Sequence, residues 1–141
     1  MLFRSGRKVI KALGGDARGK KIALLGLTFK PNTDDMRDAP SISIVQSLLD
    51  AGADICAYDP IGMELAALMM PDVTMAESAY TAIDGADAIV IVTEWDAFRA
   101  LDLDRAAKSM NGNVLVDLRN IYRRETVENI GMTYVGVGQP Q

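Results

Sequence analysis

Between Thr28 and Ala39 the chain reads Thr-Phe-Lys-Pro-Asn-Thr-Asp-Asp-Met-Arg-Asp-Ala, which sets two cations, Lys30 and Arg37, among three aspartates. A lysine offers a compact point charge and an arginine a planar fork of donors, the pair of devices that holds a phosphate. The structural alternative is that both cations pair with Asp34, Asp35 and Asp38 in a solvated loop. A second cluster is Asp117-Leu118-Arg119-Asn120, where Arg119 either reaches an anionic ligand or bridges Asp117 or a helix end. Between these two lies Thr93-Glu94-Trp95. The Thr93 hydroxyl can donate a hydrogen bond to a ligand, whereas Trp95 suits packing better than stacking on a base. Asp59 precedes Pro60, a pairing that favours a turn over a ribose-binding carboxylate. Cys56 stands inside the apolar run Asp-Ile-Cys-Ala-Tyr with no histidine anywhere in the chain, so an inert, buried thiol is expected. One cysteine and no histidine also exclude an intramolecular disulfide and the Cys/His spacings of structural zinc.

These residues gain meaning from the elements that carry them. Short β-like runs alternate with amphipathic stretches, the pattern of a parallel sheet covered by helices, so the expected class is α/β. Strands are expected at Lys21–Leu27, Asp54–Tyr58, Val73–Met75, Ala86–Val92, Val114–Asp117 and Met132–Val135. Helices are expected at Pro40–Ala51, Met63–Met70, Glu77–Ile83, Leu103–Met110 and Arg124–Asn129. Pro40 opens the first of these and Gly52 follows its end, the usual asymmetry of helix termini. The result is a doubly wound sheet of about six mainly parallel strands in three layers. Thr28 to Ala39 then becomes a strand-to-helix connection, far longer than the two to six residues such loops usually take. It falls at the carboxyl edge of the sheet, where ligands bind in this architecture. Arg119 follows the fifth strand and lies at the same edge. With a strand order of 3-2-1-4-5-6 the two cationic flanks stand about 10 Å apart, a gap that suits a nucleoside diphosphate. The glycine loop of a dinucleotide site is missing, because Gly26 runs into Leu27 and Phe29. With no histidine base and no activated cysteine, the isolated chain is expected to bind and not to turn over.

The 141 residues are about one domain's worth, 49% apolar and 24% charged, which describes a chain able to build its own core. A net charge of -4 has the wrong sign for general attraction to nucleic acid or to anionic lipid. No apolar run approaches the roughly 18 residues of a membrane helix, so no membrane association is expected. Basic residues interrupt the first fifteen, no signal-peptide core can be drawn, and a cytoplasmic location is expected. Arg4, Arg7, Lys8 and Lys11 form a basic side of what reads as the end of a helix entering from elsewhere, a face expected to be solvated.

The run Gly-Lys-Lys-Ile-Ala-Leu-Leu-Gly-Leu-Thr-Phe-Lys-Pro-Asn-Thr-Asp-Asp-Met-Arg, continuing to Ile42, closely resembles the start of the C-terminal nucleotide-binding domain of the UDP-glucose 6-dehydrogenase family. The stretches Cys56 to Pro60, Val90 to Trp95 and Asp117 to Tyr122 fall in the family's order, so the resemblance covers Arg7 to about Gly138. It implies a Rossmann-like fold in which residues 1–18 end a central interdomain helix and residues 19–141 form the UDP-sugar-binding domain. By matching motif, Phe29 and Lys30 would contact the UDP-sugar, Arg119 would reach the substrate, and Arg37 would reach NAD across a domain interface. The resemblance further implies an N-terminal NAD-binding domain with the catalytic cysteine, and a homodimer built partly by the central helix. The family reaction oxidises UDP-glucose to UDP-glucuronate with two NAD, through a cysteine-bound thiohemiacetal and thioester. Neither the NAD-binding glycine motif nor the cysteine motif occurs here, so the catalytic residues would lie outside this chain and no metal is implied. The alternatives are a stand-alone nucleotide-binding or interaction module, or the equivalent domain of a GDP-mannose or UDP-N-acetylmannosamine dehydrogenase.

Overall fold

A computed structural model describes residues 2–137, with side chains over 5–137. The Arg4 side chain and Gly138 therefore lie outside the described residues. Among the described residues six strands form one parallel sheet: β1 (Lys21–Leu25), β2 (Asp54–Tyr58), β3 (Thr74–Met75), β4 (Ala88–Ile91), β5 (Val114–Asp117) and β6 (Thr133–Gly136). Their order is β3-β2-β1-β4-β5-β6, the doubly wound arrangement in which the chain reverses direction across the sheet between β1 and β4. Among the described residues seven helices connect or precede them: α1 (Leu2–Ala12), α2 (Pro40–Asp50), α3 (Met63–Met69), α4 (Ala79–Ile83), α5 (Asp96–Arg99), α6 (Leu103–Ser109) and α7 (Arg124–Asn129).

The alternation of side chains along a strand produces the three layers. In β1, Ile22 and Leu24 join Ile44, Val45 and Leu48 of α2 and Val9 of α1 on one face. Ala23 and Leu25 face the other way, towards Ala82 and Ile83 of α4 and Phe98 of α5. Because both faces of β1 and β4 are covered, β4 and β1 from Ile22 on are continuously apolar rather than alternating. In α2, Pro40 occupies the first turn, and Gly52 adopts φ +86° just beyond the end.

Several boundaries differ from the sequence expectation for identifiable reasons. The first strand stops at Leu25: the Gly26 N–H still donates to the Tyr58 carbonyl of β2 at 2.9 Å, but those of Leu27 and Thr28 turn to the Asp59 carboxylate at 2.8 and 3.2 Å. Gly26 sits at φ +99°, and a Cβ there would lie 2.5 Å from the Thr93 backbone nitrogen. Close contact with Thr93, just past β4, thus accounts for this glycine. Helix α4 begins at Ala79 because Ser78 caps it, accepting from the Thr81 N–H at 3.1 Å. The four-residue α5 was not expected, being too short to show a period.

The basic side of α1 is not wholly solvated either: Lys8 Nζ donates to the Gly136 carbonyl at 2.8 Å, tying the helix to the end of β6. Cys56 is only half-buried, because it pairs with the two-residue edge strand β3. Desolvation pushes its thiol pKa above the ordinary value, in keeping with an unreactive cysteine. No helix among the described residues is long and apolar enough to cross a membrane.

Candidate functional site

The carboxyl edge of the sheet is organised by two buried carboxylates. Asp59, fully buried at the end of β2, accepts from six donors. Its Oδ1 takes the N–H groups of Ile61 and Gly62 at 3.0 and 2.7 Å, which forms the expected turn. Its Oδ2 takes Leu27 N, Thr28 N, the Thr28 hydroxyl and Trp95 Nε1 at 2.8 to 3.3 Å. One carboxylate thereby fastens the exits of β1, β2 and β4 together. Trp95 is buried and used for packing and this bond, as its sequence context suggested.

Thr93 has an internal partner. Its hydroxyl donates to the Thr28 carbonyl at 2.9 Å and the residue is buried, so the expectation of a ligand contact from Thr93 does not hold. Ser41 Oγ donates to the Leu27 carbonyl at 2.6 Å, and Phe29 N to the Asp35 carbonyl at 2.8 Å. The long connection is therefore a preformed loop. Asn32 and Asp38 take its left-handed positions, at φ 65° and 57°, a conformation that asparagine and aspartate tolerate better than most residues. Phe29 and Lys30 lie on its outer side, Phe29 46% exposed, and the Lys30 side chain makes no hydrogen bond or ion pair with the described residues.

Arg37 is paired in the manner of the structural alternative. Its Nε and Nη2 donate to the two oxygens of Asp35, each at 3.1 Å, while its side chain stays 89% exposed. Those bonds, aided by the Arg37 backbone N–H, hold the Asp35 carboxyl below the usual range and raise the guanidinium pKa. Beside this pair, residues 33–37 and the exposed Leu65, Leu68 and Met69 of α3 border an open groove of about 580 Å³. Lys30 and Arg119 are not among its lining residues.

The second carboxylate, Asp117, ends β5 and is fully buried. Its Oδ1 accepts from Arg119 N at 3.2 Å, and its Oδ2 from Tyr122 N and the Tyr134 hydroxyl, both at 2.9 Å. These bonds shape the turn that carries Arg119, with Asn120 at φ 54°. The Arg119 side chain does not bridge Asp117. It crosses to the neighbouring strand exit, where Nε donates to Glu94 Oε2 at 3.0 Å and Nη2 makes a second bond to the same oxygen. Burial pushes the Glu94 carboxyl pKa up, but the bonds from Arg119 and from its own backbone N–H outweigh this, so it ends below the usual value. Sequence reasoning assigned Glu94 nothing; its one signal was a carboxylate just past β4, next to the strand that delivers Arg119.

The sheet order thus puts Lys30, after β1, and Arg119, after β5, on either side of β4 at one edge, as the 3-2-1-4-5-6 order required. Among the described residues no group of three or more His, Cys, Asp or Glu side chains is arranged to hold a metal ion.

Known proteins share this fold and much of this sequence. Residues 23–124 match the model of the UDP-glucose/GDP-mannose dehydrogenase family, UDP binding domain. UDP-glucose 6-dehydrogenase of Rhizobium meliloti (strain 1021) is 57% identical over 135 residues, which are 96% of this chain and 31% of that protein. Among solved structures, a UDP-glucose dehydrogenase from Pyrobaculum islandicum superposes with a TM-score of 0.79 at 28% identity, covering 99% of this chain and 30% of the other. A UDP-D-ManNAc dehydrogenase from Pyrococcus horikoshii gives a TM-score of 0.78, also at 28% identity, over 96% of this chain and 30% of the other. The chain spans about a third of the length of these relatives, 31% in the first case. A family match over residues 23–124, a 57% identical relative and the shared fold lead to one conclusion: the protein belongs to the UDP-glucose/GDP-mannose dehydrogenase family, as its UDP binding domain.

Proposed function

We propose that this chain is the nucleotide-sugar-binding part of an NAD-dependent UDP-glucose 6-dehydrogenase, which oxidises UDP-glucose to UDP-glucuronate. The observation that carries the reading is the pair of cations at the carboxyl edge, Lys30 and Arg119, flanking the exit of β4. In this reading Lys30 meets a phosphate of the diphosphate, the exposed face of Phe29 lies against the UDP-sugar, and Arg119 reaches the substrate. Residues 19–141 are the binding domain, and residues 1–18 are the end of a helix joining it to an N-terminal NAD-binding domain that carries the catalytic residues. That helix also contributes to a homodimer, and the enzyme works in the cytoplasm.

The chain's own residues fit NAD only at its margin. Gly26 is closed off by Thr93, so the exit of β1 offers no cradle for a pyrophosphate. Arg37, 89% exposed at the rim of the groove, fits a single contact to NAD held mainly by another domain. Bound there, NAD would supply the hydride acceptor, while this chain's contribution is to hold and orient the substrate.

Parallel calorimetric titrations with UDP-glucose, UDP, GDP-mannose and NAD test the reading. The two uridine nucleotides should bind, GDP-mannose more weakly and NAD most weakly. Because exposed cations are screened by salt, raising ionic strength from about 0.05 to 0.5 M should remove most of the affinity. NAD binding more tightly than UDP would contradict the proposal and require a self-contained dinucleotide site.

A further inference from the structure

The Glu94–Arg119 pair goes beyond the assignment of Arg119, and we propose that Glu94 is a positioning residue that presents the Arg119 guanidinium to the nucleotide. The inference rests on the reading above, in which Arg119 touches the substrate. Its basis is the geometry of the pair. Glu94 stands three residues past Ile91, and Arg119 two residues past Asp117, the residue paired with Ile91 in the neighbouring parallel strand. Two adjacent strand exits thus bring the side chains together, across 25 positions of sequence.

The contact is made along one side of the guanidinium. Nε and one Nη2 hydrogen point at Glu94 Oε2, and no described residue accepts from Nη1. A guanidinium has five donors in a fixed plane, so an end formed by Nη1 and the second Nη2 hydrogen remains for two oxygens of a phosphate or for sugar hydroxyls. The backbone N–H of Arg119 is itself fixed by the buried Asp117, so both ends of the residue are held before any ligand arrives. An arginine has many rotamers to lose, and ordering it in advance lowers the cost of binding.

The hold between the two side chains is mutual, since the bonds to the Glu94 carboxylate from other side chains come from Arg119. Glu94 Oε1 is buried with no hydrogen-bond partner among the described residues, and the Glu94 carbonyl accepts from Arg99 Nη1 at 3.5 Å. A carboxylate held in this way at an edge that binds anions works against attraction in simple charge terms. That opposition gives the inference its sharp alternative, in which Glu94 only masks Arg119 and competes with the ligand.

The test is a double-mutant cycle read by UDP-glucose titration at fixed salt, on the wild-type chain, Glu94→Ala, Arg119→Ala and the double variant. Glu94→Ala should weaken binding about 5- to 10-fold in the presence of Arg119 and change it less than about twofold in its absence. Glu94→Gln should recover part of the loss, since its carbonyl oxygen still accepts from the guanidinium. Unchanged or tighter binding by Glu94→Ala overturns the inference in favour of the mask. An equal loss in both backgrounds overturns it in favour of a purely structural carboxylate. If Arg119→Ala itself leaves UDP-glucose binding untouched, the nucleotide reading of this edge falls, and the role of Glu94 with it.

Discussion

Asp59→Ala should destabilise the chain by at least about 3 kcal/mol, because it strands four buried donors and one part-buried donor at once, and each unsatisfied buried group costs about 1–3 kcal/mol. The donors are the backbone N–H groups of Leu27, Thr28, Ile61 and Gly62 and the Trp95 indole. The Thr28 hydroxyl suffers least, since it also donates to the Lys30 carbonyl at 3.0 Å. Asp59→Asn keeps one acceptor oxygen and should lose less, roughly 2 kcal/mol, because its amide then opposes N–H groups on one side only. Against a typical stability of about 5–15 kcal/mol, either change is large enough to read in urea unfolding as a shift of midpoint. An alanine variant within about 1 kcal/mol of wild type would mean that water replaces the carboxylate, and that the strand exits are held by other contacts. The same substitution should loosen the loop bearing Phe29 and Lys30, since Thr28 is fastened through Asp59.

The second large effect concerns binding. Arg119→Ala should weaken UDP-glucose binding by about 1.5–3 kcal/mol, the scale of a hydrogen bond to a charged group. Folding should be nearly unaffected, because the partner lost is Glu94 in a pair whose side chains are 38% and 27% exposed, and such pairs add little stability. Asp117 keeps its bond to the backbone N–H of residue 119 whatever the side chain, so the turn survives. Arg119→Lys should restore only part of the affinity, since an ammonium retains the charge but not the planar fork. A lowered melting temperature with unchanged affinity would remove Arg119 from the site.

What was legible in the sequence divides along a physical line. Local patterns located the elements: the apolar run from Lys21, the Pro40 start and Gly52 stop of α2, and the buried Val114–Asp117 strand all follow from short-range rules. The long loop after β1 and its place at the carboxyl edge followed from the same reasoning. Choice among partners was not legible, because it depends on strands brought together across the sheet. The Asp59-Pro60 pair indicates a turn, which describes the bonds of Asp59 to Ile61 and Gly62 but not those to Leu27, Thr28 and Trp95, more than thirty positions away. Arg119 had its carboxylate neighbour two residues away, yet its guanidinium chose Glu94 across β4 and β5. Arg37 did take a local aspartate, Asp35, and Lys30 took none, so two cations of one loop resolved differently. The brevity of β3 left Cys56 half-covered, which composition could not foretell.

The central claim, that the carboxyl edge between Lys30 and Arg119 receives the nucleotide, is tested most directly by backbone amide NMR during titration with UDP-glucose. The account predicts progressive shifts for residues 28–38, 93–95 and 118–122, with the residues that open β1, β4 and β5 unmoved. Shifts confined to the opposite edge or to the α1 side, or none at saturating UDP-glucose, would contradict it.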